Sequence, residues 1–434
     1  MRTLTPAEAA ALVRDVDTLA VPLGPGQPPA FLHALSARDD FRDLAVFAAL
    51  LVDLFPLFTR RGVRLLSGFF GPVERVLRAK GHAVEFVPAD FRRFATLARR
   101  MAPRVMATAV APPDADGWMS LALHAGATVD ELKRCGRDPH RLLVVEANAG
   151  LPRTLGLPPA HPHALHVDEV DVLIEGDRPV RTLPETPADE AERKIAAFAR
   201  SYIRDGCTLQ TGIGGVPDLI ARMLAEEPGG DYGVHSEMFT DGLMQLHRAG
   251  KVRNAKGVHD GYSVCTFAMG SSALYEWLDG NEQVRFIPVD EVNDPIRIAR
   301  NRQMISINGA LSVDLVGQVV ADRIGDRQHS GIGGHEDFVT GAAMSEGGHS
   351  LICLPATAKT PQGVVSRIVT RFTAGSTVTT PRHQVDVVIT EYGAAELAGK
   401  SERERAEALV AIAHPAARKA LADGETPGPI ADAE

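Results

Sequence analysis

Apolar residues fall into two rhythms along this chain. Short unbroken runs rich in valine, leucine and isoleucine read as strands covered on both faces: RLLVVEA (141–147), VDVLIE (170–175), SLICLPA (350–356) and VDVVITEYG (385–393). Elsewhere apolar positions recur at helical spacing, which predicts helices over 7–16, 188–204, 218–225 and 402–413. The last of these has its own start signal, because Ser401 and Glu404 stand at the spacing of a capping box. Strands alternating with helices of this length predict an α/β architecture with mostly parallel sheets.

The rhythm breaks once, at GDRPVRTLPETPADEAERK (176–194), where prolines and charges precede a helix. That break predicts an N-terminal α/β domain over 1–182 and a C-terminal one over 190–424, with 425–434 as a frayed tail. The two halves echo each other. TLAVPLGPGQPPAFLHAL (18–35) and TLQTGIGGVPDLIARML (208–224) both run strand, glycine turn, proline, helix. With Gly24 and Gly26 set on Gly212 and Gly214, Val46 falls on Val234, and Ala49 faces Glu237. The halves thus read as two versions of one unit, of which the second alone keeps a carboxylate at that place.

Composition narrows the function. A chain of 434 residues is long for one core, and 45% hydrophobic with 23% charged residues is ordinary for a globular protein. A net charge of −9 offers no basic footprint for nucleic acid and no polybasic segment for an anionic membrane, so neither partner is expected. Cys135, Cys207, Cys265 and Cys353 are scattered without metal-ligand or disulfide spacing, which points to a reducing cytoplasm and no metal site. Arg14, Asp15 and Asp17 interrupt the N-terminal stretch, so it reads as a helix leading into a strand and not as a signal peptide. No run approaches the ~20 apolar residues of a membrane span.

Candidate chemistry centres on VHSEMFTDG (234–242). Val234, Met238 and Phe239 flank Glu237, so its segment is expected to be buried on at least one side. A lone carboxylate there is costly unless it is hydrogen-bonded or used, although an exposed glutamate at a strand end is the plain alternative. Upstream, GIGG (212–215) lies between a strand and a helix. Pro217 and Asp218 follow it, so no dinucleotide fingerprint is completed, and no acidic residue ends a second strand in a ribose-binding position. What the turn offers is bare main-chain N–H groups at a helix start, suited to an oxyanion or a phosphate. A second turn lies in HSGIGGHEDFVTGAAMS (329–345), where purely structural glycines are the alternative. A carboxylate with two walls of amide donors describes an acyl-transfer site with a covalent nucleophile.

These motifs, taken in order, resemble the acetyl-CoA hydrolase/transferase family, the branch of class I coenzyme A transferases that includes 4-hydroxybutyrate CoA-transferase. The resemblance covers nearly the whole chain. Its first half rests on PLGPGQPPAFLHAL, VAPPDADGWMSLAL and NAGLPRTLG; its second rests on LQTGIGGVPD, GVHSEMFTDG, VDEVNDP, ISINGALSVDLVGQVVADRIG, SGIGGHEDFVTGAAMSEGG, PATAK, SRIV, VTTPR, VVITEYGAAELAGKS and IAHPAAR.

The resemblance implies two related class I CoA-transferase-type α/β domains with mostly parallel sheets and a site in the cleft between them. It implies a CoA-transferase that moves coenzyme A from an acyl-CoA to a small carboxylate such as acetate or a hydroxy acid. Coenzyme A would be a substrate, no metal would be needed, and a homodimer is the common assembly of relatives. Glu237 falls on the glutamate that forms the glutamyl-CoA thioester. Gly212, Ile213, Gly214, Gly215 and Val216 fall on a CoA-contacting segment, with the amide of Ile213 in the oxyanion hole. Gly331, Gly333 and Gly334 supply further CoA contacts and the opposing amide, which is assigned to Gly333. Lys359 falls on a CoA contact, with an exposed solvated lysine as its alternative. Glu291 is a rival nucleophile by chemistry alone, and it ranks lower because it does not follow the first glycine turn. An acyl-CoA hydrolase on the same scaffold and a non-catalytic acyl-CoA binding protein are the competing readings.

The chain departs from the family pattern in three places. LALHAGATVDELKRCG stands where relatives carry a Ser-x-Asp element on the acceptor side. PATAKTPQGVVSRIV is slightly extended. NGALSVDL places Ser312 where an acid is usual. None of the three touches Glu237, so they bear on the acceptor.

Overall fold

Runs such as LLVVEAN bury both faces only inside a sheet that is covered on both sides, and parallel sheets meet that need. The computed structural model describes residues 1–184, 187–212, 214–361 and 363–430. It divides into two compact units, Met1–Pro184 with Tyr262–Asp294, and Glu185–Gly261 with Pro295–Glu434. The division read from the sequence kept 262–294 with the second half. The main chain assigns that segment to the first unit, since Ala268 N–H donates to Leu123, Phe286 N–H to Leu155 and Val289 N–H to Gly126.

The first unit is built on an eight-stranded parallel sheet. Its strands are β1 (Arg2–Thr3), β2 (Val16–Ala20), β3 (Asp43–Ala48), β4 (Val63–Ser67), β5 (Val84–Phe86), β6 (Val105–Val110), β7 (Leu142–Asn148) and β8 (Val172–Gly176). Their order across the sheet is β1-β8-β7-β6-β2-β3-β4-β5. The second unit's sheet takes β9 (Thr208–Gln210), β10 (Gly233–Val234), β11 (Met304–Gly309), β12 (His349–Cys353), β13 (Val387–Thr390) and β14 (Gly393–Glu396). Its order is β10-β9-β11-β12-β13-β14, parallel except for the last pair. The series β3-β2-β6-β7-β8 and β10-β9-β11-β12-β13 are the same topology. The echo in the sequence extends to register: Leu19 pairs with Val46 in one sheet and Leu209 with Val234 in the other.

The helices that bear on function are α1 (Pro29–Ser36), α2 (Glu190–Arg200), α3 (Gly215–Glu226), α4 (Asp241–Arg248), α5 (His335–Met344) and α6 (Glu402–Ala411). Helix α6 begins as its sequence predicts, with Ser401 N–H donating to Glu404 Oε2 at 2.9 Å and Glu404 N–H to Ser401 Oγ at 3.4 Å. Helix α3 begins three residues before its predicted start, because a proline in a first helical turn lacks only an N–H that has no intrahelical partner there. The helix predicted over 7–16 spans only Pro6–Ala10, and Val16 already belongs to β2. Asp17 explains the early stop. Its carboxylate accepts from the N–H of Arg14 at 2.8 Å and from the Arg104 guanidinium, and so draws the chain out of the helix.

In the first unit the core gathers Phe31, Leu32 and Leu35 of α1 against Val46, Leu65 and Val105. In the second it gathers Val339, Ile352, Val388 and Leu409. All four cysteines are free and buried. Among the described residues no helix is long and apolar enough to cross a membrane.

Candidate active site

Parallel sheets gather function at the carboxyl ends of their strands, where helix N-termini and loop amides converge. In the second unit two such ends lie side by side. Strand β9 runs into the first glycine turn and then α3, while its neighbour β10 runs into His235, Ser236 and Glu237. The N–H of His235 continues the ladder to Leu209 O at 3.1 Å. Ser236, fully buried, then bridges the two ends: its hydroxyl accepts from Thr211 N–H at 3.3 Å and lies 3.0 Å from Thr211 O and 2.7 Å from Met238 O. Glu237 follows at a bend, half-buried. Helix α4 starts four residues later and packs closely on α3: a Cβ on Gly242 would lie 2.7 Å from the Ala221 side chain.

Two buried hydroxyls near Glu237, Thr211 Oγ1 and Thr240 Oγ1, have no hydrogen-bond partner among the described residues. Buried polar atoms left in this state are uncommon and point to a ligand or to solvent.

The glycines of the first turn differ in what they do. Gly214 has φ of 142°, closed to residues with a side chain, and a Cβ on Gly215 would meet Glu192 Oε1 of α2 at 2.4 Å. At Gly212 a Cβ would meet nothing within 4 Å, so open space lies beside the main chain there. Gly214 caps α3 and, as a glycine, brings no side chain to the helix start, beside which the Glu192 carboxylate lies. Val216 is buried in the first turn of α3. Ile213 lies outside the described residues.

The corresponding places in the first unit are filled from within. Ala49, which faces Glu237 in the repeat, offers only its carbonyl, which accepts from Gly24 N–H at 3.3 Å and Gln27 Nε2 at 3.0 Å. The start of α1 is occupied by Glu146 of β7, whose Oε2 accepts from Phe31 N–H at 3.1 Å. Burial pushes that carboxyl up to about 7. A separate cavity of about 440 Å³ opens at this unit's carboxyl edge, with Gly24, Asn148, Arg178 and Arg181 among its lining residues. It lies by the ends of β2 and β6, where the strand order changes direction, the usual place for a ligand in such sheets.

The second glycine turn precedes α5. Gly331 is buried, Gly333 has φ of 59°, and Gly334 caps the helix. Helix α5 packs on β11 and β12, and its Phe338 ring meets His235, two residues before Glu237, edge-on with centroids 6.3 Å apart. Burial pushes the His335 imidazole down to about 4, so it is neutral at physiological pH.

Glu237, Gly212, Gly214, Gly215, Val216, Gly331, Gly333, Gly334 and Lys359 therefore all belong to the second unit. Lys359 is exposed on a hairpin of Thr357–Thr360 with Gly363–Ser366, opposite Val364. Glu291 belongs to the first unit, 3.7 Å from His161 Nε2. Sequence reasoning missed the polar groups that hold the second turn, Asp322, Gln328, Thr379 and Thr380, and also Arg367. Burial lowers the pKa of the Arg367 guanidinium, and Arg367 NH1 lies 3.5 Å from Ala310 O. The one available signal was that VTTPR and SRIV occur among the family motifs with no role attached. Among the described residues no group of three or more His, Cys, Asp or Glu is arranged to hold a metal ion.

Comparison with known proteins places this geometry in a group. Residues 270–424 match the model of the acetyl-CoA hydrolase/transferase C-terminal domain. The succinyl-CoA:cyclohexane-1-carboxylate CoA transferase of Geobacter metallireducens is 36% identical over 427 residues, 97% of this chain and 94% of that protein. The 4-hydroxybutyrate coenzyme A transferase of Clostridium kluyveri is 39% identical over 356 residues, 81% and 80% of the two chains. The crystal structure of RipA from Yersinia pestis superposes with a TM-score of 0.86 at 33% identity, over 98% of this chain and 96% of that one.

Proposed function

We propose that this chain, which belongs to the acetyl-CoA hydrolase/transferase family and is a CoA-transferase, moves coenzyme A from an acyl-CoA to a small carboxylic acid through a thioester on Glu237. The observation that carries this reading is the Ser236 bridge, which sets Glu237 beside the first glycine turn at a carboxyl edge.

Glutamate is ionised at neutral pH without help, its ordinary pKa being about 4.3. Partial burial strips water from it and sharpens it as a nucleophile. One carboxylate oxygen attacks the thioester carbonyl of the acyl-CoA and forms a tetrahedral oxyanion. In this reading the amides of Ile213 and Gly333 take that charge, a contribution of roughly 3–4 kcal/mol per donor in favourable cases. The C–S bond breaks, leaving an acyl–glutamyl anhydride and the CoA thiolate. The thiolate attacks the glutamyl carbonyl, the first acid leaves as its carboxylate, and glutamyl-CoA remains. The carboxylate of the second acid then attacks the glutamyl thioester and gives a new anhydride and thiolate. Attack of that thiolate on the new acyl carbonyl gives the product acyl-CoA and frees Glu237. Every step exchanges one acyl bond for another, and the kinetics are ping-pong.

A short-chain or hydroxy acid is the acceptor we favour. The similarity to a 4-hydroxybutyrate coenzyme A transferase supports that choice.

The decisive experiment incubates the protein with acyl-CoA alone, traps with borohydride or hydroxylamine, and reads the mass of the peptide holding Glu237. A modified Glu237 is the expected result. Tight acyl-CoA binding with an unmodified peptide would leave a binding protein instead. Acyl-CoA loss that proceeds at full rate without any added acid would make the chain a hydrolase.

A further inference from the structure

Two threonines in VTTPR, a motif without a role so far, reach the second glycine turn from opposite ends. Thr379 acts at the entry. Its hydroxyl accepts from Ala321 N–H at 2.8 Å and donates to Asp322 Oδ1 at 2.6 Å. Asp322 is buried, and its other carboxylate oxygen accepts from Gln328 Nε2 at 2.8 Å. Its carbonyl accepts from the N–H groups of His329 and Ser330 at 2.9 and 3.0 Å. Gln328 Nε2 also lies 2.9 Å from Ser330 O. Ser330, the residue before Gly331, is thus held by both its main-chain groups.

Thr380 acts at the exit. It is fully buried, and its hydroxyl donates to Glu336 Oε1. With its only proton committed there, its oxygen accepts from His335 Nε2 at 2.9 Å, which assigns the ring proton to Nε2. His335 is the first residue of α5, directly after Gly334. The threonine pair is itself anchored in the fold, since both N–H groups donate to Val319 O, at 2.8 and 3.1 Å.

We propose that Thr379 and Thr380 are positioning residues that brace the turn Gly331–Gly334 from both ends, so that its amides stand preorganised for the developing oxyanion. The inference rests on the reading of the second turn as an oxyanion donor. A glycine-rich segment has much freedom to lose, and an amide that is displaced by about 1 Å forfeits roughly 10²-fold in rate. Neither threonine is a catalytic residue. Each acts through the segment it holds.

The test replaces each threonine by its isostere, Thr379→Val and Thr380→Val, with Thr379→Ser and Thr380→Ser as hydroxyl-retaining controls. Thr379 is half-exposed and tolerates valine in the fold more readily than the buried Thr380, so it decides the matter if the second variant unfolds. In the valine variants kcat is expected to fall roughly 10²-fold with KM for the acyl-CoA little changed. Amide hydrogen exchange over 331–334 should quicken in the same variants, and serine should restore both. Unaltered exchange or wild-type kcat in folded Thr379→Val overturns the brace, as does a serine variant as impaired as the valine one. Failure of the underlying mechanism shows separately, as a wild-type protein that carries no trapped thioester on Glu237. In that case the exchange rates still decide whether the threonines hold the turn.

Discussion

Ser236 links to Thr211 across the two strand ends: its hydroxyl accepts from the Thr211 N–H at 3.3 Å, and its single proton faces both Thr211 O at 3.0 Å and Met238 O at 2.7 Å. This cross-link ties the strand end that carries the nucleophile to the strand end that opens the glycine turn. It also gives a reason for a hydroxyl residue directly before the glutamate: a side chain there must both accept and donate within one buried space.

Ser236→Ala removes that link and leaves the N–H of Thr211 buried without its partner. An unpaired buried donor costs about 1–3 kcal/mol, so a loss of that size is expected in chemical denaturation. The larger effect should be on kcat, since Glu237 is freed relative to the turn. A variant that loses stability but keeps wild-type kcat would show that the bridge serves the fold alone.

Glu237→Ala should abolish transfer while coenzyme A still binds, as measured by calorimetry. Loss of a covalent nucleophile lowers turnover on the order of 10⁴–10⁶-fold. Turnover near wild type in this variant would remove Glu237 from the mechanism.

Gly333 has φ of 59°, and two substitutions separate its backbone role from its chemical one. Asparagine tolerates this region, whereas a β-branched residue there is strained by roughly 1–2 kcal/mol or more. Gly333→Asn should therefore fold with little loss, and Gly333→Val should melt earlier and turn over slowly. Equal melting temperatures for the two variants would show that the turn relaxes to another conformation.

The sequence carried the fold class and the repeat because both rest on periodicity and on glycine turns, which are local signals. Val46 and Val234 could be aligned by eye, and the register Leu19–Val46 and Leu209–Val234 follows from the same strand pairing. The membership of 262–294 was not legible, because it depends on main-chain bonds to residues 123, 126 and 155, more than a hundred positions away. The premature end of the first helix was hidden for a related reason: Asp17 acts through Arg104, 87 residues on. For the site, a lone carboxylate and two glycine turns stand out in any sequence. A brace built from Thr379, Asp322 and Gln328 does not, since single polar residues at irregular spacing look like ordinary surface. Glu146 was missed for the opposite reason, being one charge inside a run read correctly as a buried strand.

That buried charge makes the first unit sensitive to pH in a direction that can be worked out. Burial holds the Glu146 carboxyl up at about 7, while in the unfolded chain it titrates near its ordinary 4.5. Between those two values the folded state keeps the proton and the unfolded state has released it. The stabilisation is therefore complete below pH 4.5 and is lost as pH rises to about 7, at ~1.4 kcal/mol per unit, or about 3 kcal/mol in all. Glu146→Gln cannot titrate, and its amide oxygen can still accept from Phe31 at the start of α1. Both tryptophans, Trp118 and Trp277, belong to the same unit as Glu146, so their fluorescence follows its unfolding. Urea denaturation at pH 5 and pH 7.5 should show the wild type losing about 2 kcal/mol relative to Glu146→Gln across that interval. Parallel losses in the two proteins would mean that Glu146 is already ionised in the folded state, with the helix start and Arg178 outweighing its burial.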